Sequence, residues 1–92
     1  MNINFEMALQ YINLGSYEKA ENELRTAIAA ETEKGNLSVA AEYRCVLGEL
    51  LVNIGRKRDA NKELKQVVEY CKETGNLSKQ REIAERLLLP KK

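Results

Sequence analysis

Gly15-Ser16-Tyr17-Glu18-Lys19-Ala20-Glu21-Asn22-Glu23-Leu24 returns later in the chain as Gly55-Arg56-Lys57-Arg58-Asp59-Ala60-Asn61-Lys62-Glu63-Leu64, an offset of 40 residues. In the same register Glu33, Gly35, Asn36, Leu37 and Ser38 match Glu73, Gly75, Asn76, Leu77 and Ser78, while Glu42 and Leu47 continue as Glu82 and Leu87. Identities held in one register over so long a span mark an internal repeat. In such arrays each unit buries its apolar face only by stacking on the next.

Inside each unit the period is helical. Ala20, Leu24, Ala27, Ile28 and Glu31 fall at i, i+4, i+7, i+8 and i+11, and the second copy gives Ala60, Leu64, Val67, Val68 and Cys71. That spacing puts them on one face of a 3.6-residue helix. A further stripe lies between the two: Ala40, Tyr43, Leu47, Leu50, Leu51 and Ile54. Strand-like alternation is found over no useful length. Glycines punctuate the stripes, Gly15 and Gly55 at one kind of turn and Gly35-Asn36 and Gly75-Asn76 at the other. A helix end favours a residue that accepts a left-handed backbone. Ser38 and Ser78 are candidate caps for the helices that follow, each with a glutamate four residues on. Helices are predicted near 3–14, 17–34, 38–53, 57–74 and 78–89. Pro90 is expected to stop the last one, leaving Lys91-Lys92 as a short solvated tail.

The totals fit one small domain spanning 1–92. The chain has 43% hydrophobic and 32% charged residues, no Trp, one Phe and one Pro. Fifteen basic residues against fourteen acidic ones leave a net charge of +1, which argues against a dedicated nucleic-acid or membrane-surface binder. Met1-Asn2-Ile3-Asn4-Phe5-Glu6 lacks the cationic and apolar regions of a signal peptide, and no apolar run approaches a membrane span. Cys45 and Cys71 form no CxxC pair; two reduced, partly buried thiols are expected over a lone disulfide. A cytoplasmic location is expected.

At this point the residues resemble the tetratricopeptide repeat family. Its pattern, an aromatic, then x2-Leu-Gly-x2-Tyr and Ala-x3-Phe, lays on Asn4, Met7, Ala8, Tyr11, Ala20 and Leu24 in the first unit. In the second it lays on Arg44, Leu47, Gly48, Leu51, Ala60 and Leu64. The most specific piece is the turn Gly15-Ser16-Tyr17-x2-Ala20. The period is 40 residues where the family's usual one is 34, no proline closes the second helix, and the aromatic near the start of each unit is missing. Longer-period repeats of this kind resemble those of bacterial regulatory proteins and of motor or polarity adaptors. The resemblance implies an all-α, right-handed α-α superhelix of two helix-turn-helix repeats, residues 1–36 and 37–76, closed by a capping helix over 77–89. Ala20 and Ala60 would sit where the paired helices cross, and Leu24 and Leu64 would insert between neighbouring helices. In the last helix Leu77, Ile83, Ala84, Leu87 and Leu88 would face inward, with Lys79, Gln80, Glu82, Glu85 and Arg86 toward water.

What the family binds implies a site. Its concave side, lined by the first helix of each unit, holds peptides or helices of partner proteins. The matching positions are Asn2, Phe5, Leu9, Ile12 and Asn13, then Glu42, Cys45, Glu49, Val52 and Asn53, then Glu82, Glu85 and Leu89. Chaperone-binding members hold a C-terminal carboxylate with Lys, Asn and Arg, whereas these places carry Phe5, Leu9, Cys45, Glu49 and Glu82 or Glu85. Partly desolvated glutamates would repel a carboxylate by about 1 kcal/mol or more. An amphipathic helix or extended segment with apolar anchors and basic flanks suits the strip better.

Other readings stand beside this one. Phe5, Leu9 and Ile12 fit a partner groove, a self-association surface that would make the chain an assembly or regulatory element, or local core. Glu42, Glu49, Glu82 and Glu85 fit either a groove or a plain solvated surface. Arg56-Lys57-Arg58 with Lys62 and Lys65 is a basic cluster, but Asp59 and Glu63 interrupt it and no aromatic interleaves for base stacking. Catalysis is not expected: the chain has no histidine, no metal-ligand cluster and no glycine-rich phosphate loop, and nothing marks Cys45 as an activated nucleophile. No cofactor is expected. The predicted role is a protein-binding adaptor, scaffold or chaperone-like module.

Overall fold

A computed structural model describes residues 2–88, and within them the chain forms five α-helices and no strand: α1 (Ile3–Asn13), α2 (Tyr17–Lys34), α3 (Leu37–Asn53), α4 (Lys57–Thr74) and α5 (Ser78–Leu88). The predicted boundaries agree to within about a residue. The expectations placed on Leu89, Pro90, Lys91 and Lys92 lie outside the described residues.

The helix ends follow the repeat. Ser16 N–H donates to the Tyr11 carbonyl at 2.8 Å, Asn36 N–H to Glu31 at 2.9 Å and Arg56 N–H to Leu51 at 2.8 Å. Each bond reaches back five residues over a glycine of positive φ, which closes the helix and satisfies an orphan carbonyl. Neither serine acts as predicted. Helix α3 begins at Leu37, with Asn36 at its cap position making no side-chain cap bond, and Ser78 is already the first residue of α5.

The sequence Gly-Asn-Leu-Ser gives two different turns. Leu37 opens α3 and is 49% exposed, whereas Leu77 takes φ 57° and packs against the core ahead of α5. Left-handed backbone at a leucine costs about 1–2 kcal/mol, and burying part of the side chain offsets it.

Each helix packs on its neighbours in the chain, and α3 also packs on α5. The result is a slab of 33 × 32 × 18 Å. Its core is the predicted pair of stripes: Ala20, Leu24, Leu47, Leu51, Ala60, Leu64 and Val67 are all sealed from solvent. Gly48 explains one close crossing. A methyl group there would meet the Leu64 side chain, with Cγ at 2.7 Å, so α3 and α4 approach through a position with no side chain. The equivalent position in the first unit is Ala8, also fully buried.

Candidate functional site

The proposed binding strip crosses α1, α3 and α5, and its residues fare differently. Ile12, Glu49 and Asn53 come together. With Tyr17, Val46, Leu50 and Ile54 they line a cleft of about 230 Å³ between the end of α1 and the second half of α3. Asn13, Val52 and Leu9 do not line it: Asn13 is exposed, Val52 is half-buried against the core, and Leu9 is 39% exposed one turn before Ile12. Tyr17, Val46, Leu50 and Ile54 are not among the predicted site residues: the spacing puts Leu50 and Ile54 in the core stripe of α3, and Tyr17 reads as part of the turn.

Three predicted members serve the fold instead. Phe5 stacks on Tyr43, with ring centroids 4.1 Å apart and planes 9° apart, so it joins α1 to α3 as local core. Asn2 accepts from Phe5 N–H at 3.0 Å as the cap of α1, and its Nδ2 donates to Glu31 at 2.8 Å. Cys45 is only 3% exposed, and its thiol points at the Gln80 carbonyl of α5 at 3.8 Å. It cannot meet a partner while α5 is seated. Burial, with Glu49 nearby, pushes this thiol up to about 11, so it is protonated and unreactive at neutral pH. Burial also raises the Cys71 thiol.

The charges carried by α1 and α3 are mostly negative, with Lys19 of α2 lying 5.7 Å from the Tyr11 ring centroid. Glu6 is the one charged residue of α1, and α3 adds Glu42 and Glu49. Tyr43 is raised by burial and then by Glu31, Glu42 and Glu6, which registers the local excess of negative charge. The basic residue of α3, Arg44, points the other way and lies 3.5 Å from Glu63. On α5, Glu82 is exposed, and Glu85 is tied to Arg81 at 3.1 Å.

The basic turn is not a free cation patch. Arg56 bonds both oxygens of Glu21, at 2.6 and 3.2 Å, and Asp59 at 2.8 Å. Glu21 also takes Arg25 at 3.0 Å, and Arg25 reaches Glu63 at 3.3 Å. Burial pushes Glu21 up, but the hydrogen bonds from Arg56 and Arg25 outweigh it and hold the carboxyl below its ordinary value. A larger cleft of about 490 Å³ lies beside this network, between α2 and α4. Its arginines, Arg25 and Arg44, both face Glu63, which leaves little unbalanced charge to attract a ligand.

Among the described residues no group of three or more His, Cys, Asp or Glu could hold a metal ion. No helix there is long and apolar enough to cross a membrane. Compared with models of known families, with curated proteins and with solved structures, the chain gives no match.

Proposed function

We propose that this chain is a short tetratricopeptide-type module of two stacked helix pairs and a capping helix, and that it binds another protein without catalysing a reaction. Its site is the cleft between α1 and α3, and its partner is an amphipathic helix or extended segment with an apolar anchor and basic flanks. The carrying observation is that half-buried Ile12, Val46 and Ile54 line one cleft over buried Leu50, with Glu49 as its charged lining residue and Glu42 two turns earlier on the same helix. An apolar anchor fully buried there contributes about 1.5–3 kcal/mol, and lysine or arginine flanks would meet the glutamates. The repeat assignment is supported by the register of the helices, since α2 from Tyr17 and α4 from Lys57 begin 40 residues apart. Two free buried thiols suit a reducing compartment such as the cytoplasm.

Glu49→Lys/Asn53→Lys tests the site, because both residues are exposed and the core is left alone. The immobilised parent should retain a partner that added salt releases and that the double variant, folded by circular dichroism, fails to retain. Equal recovery by both proteins would remove the cleft from consideration.

A further inference from the structure

Ion pairs occupy the turn that opens α4, and the same pairs leave a second face of that helix uncovered. Asp59 and Glu63, the two acids that interrupt the basic run in sequence, both turn toward α2 and α3. Asp59 pairs at 2.8 Å with Arg56, which also holds Glu21 of α2, and Glu63 lies 3.3 Å from Arg25 and 3.5 Å from Arg44. Arg58, Lys62, Lys65 and Lys72 remain on another side. Their spacing of i, i+4, i+7 and i+14 aligns them, with Glu69 at i+11, in one outward stripe opposite the core residues Ala60, Leu64, Val67 and Cys71. All five are exposed, and none joins an ion pair or a side-chain hydrogen bond among the described residues. At 1.5 Å per residue the stripe is about 21 Å long.

The fold does not require this arrangement. The matching positions of α2, one period earlier, are Glu18, Asn22, Arg25, Ala29 and Thr32, so the repeat itself carries no basic stripe. Nor does the stripe favour α4 as a helix. Arg58 lies in the first turn, where the macrodipole disfavours a cation, and Arg58 and Lys62 are like charges at i and i+4. We propose that the Arg58–Lys62–Lys65–Lys72 stripe binds an acidic segment of a partner protein, whose carboxylates meet successive cations. Carboxylates four residues apart on a helix, about 6 Å along its axis, repeat at the spacing of Arg58 and Lys62. Glu69 disfavours an acid at one place in that segment and so fixes its register. A nucleic-acid strand fits less well, because no aromatic residue stands in the stripe to stack on a base. Tyr70, next to Glu69, is turned to the cleft that it lines with Leu37 and Ala41.

The probe is deca-glutamate, titrated at low salt into the isotope-labelled full chain and followed by NMR. Saturable amide shifts are expected along α4 at Arg58, Lys62, Lys65 and Lys72. They are not expected at Lys19, Lys34, Lys79 and Arg86, which are exposed but lie outside the stripe. Lys62→Gln/Lys65→Gln should weaken binding at least about tenfold and still melt with the parent, because both side chains are exposed. Glu69→Lys should strengthen binding several-fold, whereas Glu49→Lys, an equal change of net charge in the α1–α3 cleft, should leave it unchanged. Absence of saturable shifts into the millimolar range overturns the proposal. So do shifts as strong at the outside cations as in the stripe, or equal strengthening by Glu69→Lys and Glu49→Lys. Tighter binding of deca-uridylate than of deca-glutamate to the stripe also overturns it, since the partner would then be a nucleic acid.

Discussion

Gly48→Ala sets two effects against each other at one atom. Alanine is favoured over glycine inside a helix by about 1 kcal/mol, so propensity alone makes the variant more stable. The added methyl would lie 2.7 Å from Cγ of Leu64, a side chain sealed from solvent. Overpacking of that kind costs about 1–3 kcal/mol. The net expectation is a loss of about 1 kcal/mol, or about 4–8 °C in melting temperature for a domain this size. Leu64→Ala alone should lose about 2–5 kcal/mol by opening a cavity. In that background the methyl at position 48 has room, its clash is gone, and the same Gly48→Ala change should stabilise by about 1 kcal/mol. The sign inversion gives a coupling of about 2 kcal/mol between the two sites, within the range found for residues in contact. Urea unfolding of the parent, both single variants and the double variant by far-ultraviolet circular dichroism measures it. A Gly48→Ala change that stabilises both backgrounds equally would refute the argument that α3 and α4 meet through an empty position.

Stability should fall in acid through Glu21, Glu31 and Asp59, whose carboxyls are all held below their ordinary values. A lowered carboxylate contributes fully above its unfolded value, 4.5 for the glutamates, and the contribution is lost as pH falls through the lower folded value. Glu21→Gln should flatten the acid limb of a stability-against-pH curve, and an unchanged limb would show that Arg56 and Arg25 do not stabilise the folded carboxylate. Thiol-specific reagent should label Cys45 slowly, because its thiol is buried and pushed up to about 11. Leu87→Ala, which loosens α5, should speed that labelling several-fold; equal rates would mean that α5 does not guard the thiol. Gly35→Ala should lower stability by about 1 kcal/mol in chemical denaturation, since φ is +84° and no neighbouring atom obstructs the methyl. A larger loss would point to a contact rather than to backbone strain.

Five helices and the glycine turns were legible because both rest on local chemistry: apolar spacing along the chain and a backbone region that glycine enters freely. Glu31 stood in the apolar stripe of α2 from the outset, yet its reason needed three dimensions. Asn2, from the cap of α1, and Asn36, from the turn between α2 and α3, both satisfy it. The binding strip was less legible. Helical spacing and family resemblance assigned Phe5, Asn2 and Cys45 to it, but a helix face does not announce which neighbour it meets. Phe5 met Tyr43, Asn2 met Glu31, and α5 closed over Cys45. The basic turn likewise read as a cluster interrupted only by Asp59 and Glu63, because Glu21 lies 35 residues from Arg56 and no short-range pattern links them.

Packing of each helix mainly on its chain neighbours governs how the molecule assembles. Most contacts close short loops, so little chain entropy is lost before each new contact forms. Low contact order of this kind goes with folding in microseconds to milliseconds. Any adjacent helix pair can serve as the starting point, with growth passing from pair to pair. Helix α1, held mainly by α2, and α5, held by α4 and less by α3, would then be the last to join and the first to fray. Amide hydrogen exchange would grade protection from the α2–α4 centre outward to both ends.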